Sequence, residues 1–136
     1  MNAASLLFTV LMVTATTALS TDPEVKAALR KSEDKVSVVS TNGTTIIAIT
    51  SVSGIGGAKL ISSGGEWPSN IVIRLSVKTL ESFEIKTPRQ SFSGSLGHSG
   101  VPTITKTNNY IQITVPHNLL EEKPEHLEFS WIDAFR

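Results

Sequence analysis

The chain has 136 residues, no Cys, and twelve basic against twelve acidic side chains, so its formal net charge is zero. That length suits one domain of ~100–200 residues. The lack of Cys excludes disulfide scaffolds, thiolate zinc sites, cysteine nucleophiles and iron–sulfur clusters, and neutrality removes the long-range pull toward nucleic acid or anionic membrane.

Leu6 to Val13 form an apolar run too short to span a bilayer, which needs about 20 residues. Small and hydroxyl residues follow it. Ala18 and Ser20 give the spacing a signal peptidase accepts, just before Thr21-Asp22-Pro23. The expectation is an export signal over residues 1–20, cleaved after Ser20, although no Lys or Arg precedes the apolar run. A buried N-terminal helix or an uncleaved anchor are the alternatives. Every charged side chain lies after Ser20, so residues 21–136 remain neutral. The expected location is secreted or periplasmic, in the cell envelope, with no membrane span once the signal is removed.

Residues 21–35 differ in character from the rest of the chain. The segment is dense in charge from Asp22 to Lys35, with Asp22 placed to cap a helix, Pro23 at its first position, and Val25, Ala28 and Leu29 at helical spacing. It reads as a charged spacer or short helix.

From Val36 the apolar period becomes two and stays so to the end. Val36 and Val38 open a strand. Asn42-Gly43 is the dipeptide a two-residue hairpin prefers, because both positions tolerate positive φ. Thr44 to Val52 is rich in β-branched residues and reads as the partner strand. Ser53 to Gly57 reads as a break, before a short strand over Ala58 to Ile61.

Ile71 to Val77 places Ile71, Ile73, Leu75 and Val77 on one face and Arg74 on the other. Ser82 to Lys86, Gln90 to Leu96, Thr103 to Lys106 and Tyr110 to Val115 come next as strands, the last two joined by a turn at Asn108-Asn109. A helical turn is expected between Pro116 and Pro124. Leu127, Phe129 and Trp131 then alternate inward in the final strand, and Tyr110–Val115 with Leu127–Phe135 are the expected paired core strands. About nine short strands at roughly ten-residue intervals indicate an all-β fold over residues 36–136, an antiparallel β-sandwich of jelly-roll or Greek-key type.

The motifs that carry chemistry are weak. Gly54-Ile55-Gly56-Gly57 follows a strand, but no helix and no Lys-Ser/Thr pair comes next, so a bend fits better than a phosphate loop. His98, His117 and His126 lack the spacing that would place two imidazoles on one face. No G-x-S-x-G nucleophile elbow occurs. Glu121-Glu122, Glu81 with Glu84, and Glu125 with Glu128 are not spaced to converge on strands, as a glycosidase pair must. Calcium would need an Asp/Asn-rich loop, and Asp22, Asp34 and Asp133 form none. No metal and no cofactor are expected.

Trp67, between turn glycines and Pro68, is the one candidate ligand-binding residue. It either plugs the end of the sandwich or stands exposed to stack on a sugar ring. Trp131, which shares a face with Leu127 and Phe129, is expected in the core.

Several of these segments taken together, Ser53-Gly54-Ile55-Gly56, Glu66-Trp67-Pro68, Ile73-Arg74-Leu75, Leu80-Glu81-Ser82-Phe83 and Ser130-Trp131-Ile132-Asp133 with Phe135-Arg136, resemble a group of small secreted bacterial β-sandwich proteins of unassigned function. The resemblance implies a shared sandwich and carries over no activity, ligand or catalytic residue. Trp67-Pro68 would cap a strand entrance, and Arg74 and Asp133 would form a partly buried pair. The functional expectation is a non-catalytic binding module whose partner is a glycan, a peptide or another envelope protein. A structural component acting through strand edges or an apolar patch is the alternative, and a hydrolase comes third. Nucleic acid is not an expected partner.

Overall fold

β-branched residues on alternate positions gain most when the chain is extended and one face is covered. The computed structural model describes residues 23–77, 80–95 and 102–132. The described residues form ten strands: β1 (Val25–Leu29), β2 (Lys35–Thr41), β3 (Thr44–Thr50), β4 (Ile55–Ser62), β5 (Asn70–Ser76), β6 (Ser82–Lys86), β7 (Ser91–Gly94), β8 (Thr103–Lys106), β9 (Ile111–Thr114) and β10 (Leu127–Ile132). A short helix, α1 (His117–Glu121), precedes β10. The expected export segment and its cleavage point lie outside the described residues, as do His98 and Asp133. Among the described residues no helix is long and apolar enough to cross a membrane.

The strands form two five-stranded sheets, in the orders β2-β3-β5-β9-β8 and β1-β4-β10-β6-β7. The chain is therefore the all-β sandwich that its spacing predicts, with connections that pass repeatedly between the sheets. All ladders but one are antiparallel. β3 and β5 run parallel, with Ile47 beside Ile73 and Ile49 beside Leu75. A parallel pair needs a crossover. Here the crossover contains β4, a strand of the opposite sheet, where an α/β protein would place a helix.

Register turns the alternation into a core. In the first sheet the row Val38, Ile47, Ile73, Ile113, Ile104 runs across all five strands. In the second, Leu29, Ala58, Phe129, Ile85 and Phe92 do the same. The central members of both rows are buried. Phe129 stacks obliquely on Phe83 and on Trp131, with ring centroids 6.2 Å and 5.4 Å apart. Leu119 and Leu120 bring α1 into the same core.

Three expectations are corrected. The segment read as a charged spacer or short helix contains β1, which pairs with β4 from Val25 opposite Ser62 to Leu29 opposite Ala58. The charged side chains Lys26 and Arg30 in and just after β1 are exposed, while Val25, Ala27 and Leu29 turn inward, so the charge of the strand itself stays off the core.

Tyr110–Val115 and the last strand are not partners. β9 lies in the first sheet between β5 and β8, and β10 in the second between β4 and β6. Gly56 and Gly57, placed in a break by their low strand propensity, lie inside β4; of the three glycines from 54 to 57 only Gly54 has positive φ, at 83°. The two strand glycines make room for large side chains. A Cβ on Gly56 would meet Trp131 Cζ2 at 2.5 Å, and one on Gly57 would meet the Arg30 guanidinium at 2.6 Å.

Candidate functional site

Trp67 follows a 3₁₀ turn (Ser63–Gly65) in the β4–β5 connection. It is half-buried against the core, and its Nε1–H donates to the Pro124 carbonyl at 2.8 Å. The surrounding contacts tie three connections together at this end of the sandwich. Lys123 Nζ lies 3.1 Å from Glu66 Oε2, Gln90 Nε2 donates to Glu122 Oε2 at 2.7 Å, and His117 Nδ1 lies 3.0 Å from the Ser69 carbonyl. Trp67 is therefore held at one edge of its ring and lies between the two placements, neither fully buried nor fully exposed. Beside its partner Pro124 is a solvent-open cavity of about 140 Å³ lined by Thr87, Pro88, Arg89, Glu122, Lys123, Pro124 and Glu125.

His117 Nε2 is 3.2 Å from Glu121, one helical turn on, and His126 Nε2 is 3.5 Å from Glu128. Neither described His meets a Ser or Thr hydroxyl in these contacts. Among the described residues no three His, Asp or Glu side chains converge in a way that would hold a metal ion. Arg74 lies on the outer face of the first sheet. Its Nε donates to Gln112 Oε1 at 3.1 Å, and its guanidinium sits 5.0 Å from the centroid of the Tyr110 ring.

The opposite end is a polar latch that the sequence does not advertise. Asp34 is buried, and its Oδ1 accepts the Val52 N–H at 2.9 Å. Lys31 Nζ donates to Ser53 Oγ at 2.9 Å, and Trp131 Nε1–H donates to Ser51 Oγ at 2.9 Å. The β1–β2 and β3–β4 connections are thereby held to each other and to β10. Asp34 Oδ2 has no hydrogen-bond partner among the described residues and faces the Cα–H of Gly56.

The feature with the clearest capacity to engage another molecule is the free side of β2. Asn42 and Gly43, at φ 52° and 82°, form the two-residue hairpin expected between β2 and β3, with Thr41 opposite Thr44. In such a hairpin the flanking pair exchanges both backbone hydrogen bonds, and bonding then alternates along the ladder. Ser37, Val39 and Thr41 thus direct their N–H and C=O groups to β3. Val36, Val38 and Ser40 direct theirs outward, where no described strand pairs with them.

Edges of this kind are commonly blunted by Pro, charge or a bulge. β2 has neither Pro nor Gly, carries only Lys35 at its start, and pairs with β3 without interruption over seven residues. The other edge strands are shorter, at five, four and four residues. The side chains of β2 are apolar beyond what an isolated edge needs. Val39 is 57% exposed on the outer face, and Val36 and Val38 are only half-covered on the inner one. Val39 continues outward into Ile46 and Val72, giving an uncharged strip next to the edge. Sequence reasoning read β2 as a strand but had no means of placing it at an edge.

Comparison of the chain with protein-family models, with curated proteins and with solved structures gives no match.

Proposed function

We propose that this protein is a non-catalytic module, working outside the cytoplasm, that binds another polypeptide by taking an extended segment as an added strand along β2. One observation carries the reading: a seven-residue edge strand, itself without Pro or bulge, whose outward N–H and C=O groups no described strand pairs. Main-chain hydrogen bonds supply affinity in this mode, and alternate side chains supply selectivity. The apolar run Leu6–Val13 and the small residues after it support the extracellular setting.

The glycan reading rests on Trp67 as a sugar platform. The indole is packed against the core and tied at its Nε1 to Pro124, so this reading ranks second. A peptide library displayed on phage and selected against the protein is the test, with backbone amide exchange as the readout. Selected peptides should slow exchange at Val36, Val38 and Ser40 at least tenfold. Protection confined to the Trp67 end, with β2 unchanged, would favour the second reading and contradict the first.

A further inference from the structure

We infer that the segment which occupies β2 is β2 of a second copy of this chain, paired antiparallel about a two-fold axis through Val38. The inference rests on the strand-addition reading and names its partner. It comes from how the strand matches itself.

With Val38 opposite the partner's Val38, Val36 falls opposite the partner's Ser40, and Ser40 opposite the partner's Val36. These are the three residues whose backbone groups point outward, so all of them enter bonded pairs at once. A register displaced by one residue would bring outward-facing groups opposite inward-facing ones and lose the ladder.

Side chains agree with this register on both faces. On the inner face Val38 meets the partner's Val38, and the apolar row Val38, Ile47, Ile73, Ile113, Ile104 continues into a second core. On the outer face Ser37 lies opposite the partner's Val39, which covers the exposed Val39 side chain with a small neighbour. Charge does not oppose the match. Lys35 lies opposite the partner's Thr41, and six residues of extended chain keep the two Lys35 side chains roughly 20 Å apart.

The contact is isologous and closes on itself, so it makes a dimer and not a fibre. One added strand per copy buries less than the roughly 1,200 Å² of a standard stable interface. The dimer is therefore weak and concentration-dependent, and its ten-stranded sheet stays within the ordinary size range.

The chain has no Cys, so single cysteines report the register directly. Residues in a bonded antiparallel pair have Cα atoms about 5.5 Å apart, within disulfide range. Diagonal neighbours, at roughly 7–8 Å, lie at or beyond its limit. Under mild oxidation Val38→Cys should give a covalent dimer at least tenfold faster than Val39→Cys, although residue 39 is the more exposed. Equal rates, or faster linkage through residue 39, would overturn the inference.

Sedimentation of the unmodified protein supplies the second arm. The mass should rise toward twice the monomer value with concentration, and Val38→Pro should weaken association at least tenfold. A chain that stays monomeric at every concentration and does not cross-link through residue 38 removes the second copy as the partner. If selected peptides still protect Val36, Val38 and Ser40 in that case, strand addition stands and only its partner is wrong.

Discussion

At the scale of single residues, the two glycines of β4 separate two ways in which a missing side chain serves a fold. Gly56 lies directly opposite Trp131, and a methyl there would press on the indole at 2.5 Å and on Asp34 Oδ2 at 2.9 Å. Both neighbours are fixed, the indole by the core and the carboxylate by the Val52 amide. Gly56→Ala should therefore cost about 2–3 kcal/mol in urea denaturation. Gly57 faces the exposed Arg30 side chain, whose far end can swing aside, and Gly57→Ala should cost less than about 1 kcal/mol. Equal costs would show that Trp131 does not hold the place assigned to it. At the other end, Trp67→Phe keeps an apolar ring but leaves the Pro124 carbonyl without its donor, and should lower stability by about 1 kcal/mol in the same measurement.

At the scale of elements, β2 decides the account. Its backbone parity can be tested by proline, which removes one N–H at a chosen position. The Val38 N–H points away from β3, so Val38→Pro should cost under about 1 kcal/mol. Val39 donates into the β2–β3 ladder, and Val39→Pro should cost about 2–3 kcal/mol. The reverse order, read from urea midpoints, would place the free donors on the wrong residues.

This scale also marks how far the sequence can be read. Alternation identifies β2, β3, β5, β6, β9 and β10, because each buries one face against a core and the period survives in the residues. It misplaces β1, whose inward Val25, Ala27 and Leu29 are interleaved with Lys26, Ala28 and Arg30 in a segment that also fits a thin helical stripe. It cannot pair β9 and β10 correctly, since both are equally apolar and nothing in either segment records which sheet it joins. Gly56 and Gly57 look like a break because the indole and guanidinium that explain them come from residues far along the chain. The edge status of β2 is a property of the assembled sheet and has no local signature. Trp67 is legible as a residue of note, but its bond to the Pro124 carbonyl depends on a connection 57 residues away and has no local signature.

At the scale of the whole molecule, a chain without disulfides holds its two sheets together through aligned apolar rows and fastens both ends with specific polar contacts. The Trp67 end joins the β4–β5 and α1–β10 connections, and the Asp34 end joins β1–β2 to β3–β4. The free side of β2 is where this completeness stops, because backbone groups and half-covered valines lie there together. Residue-resolved amide exchange across a dilution series tests that claim most directly. In dilute protein the amides of Val36, Val38 and Ser40 should exchange rapidly while those of Ser37 and Val39 stay slow, and the first three should slow at least tenfold as concentration brings a second strand alongside. Slow exchange at Val36, Val38 and Ser40 that does not change with dilution would mean that the chain already covers its own edge, and would contradict the account.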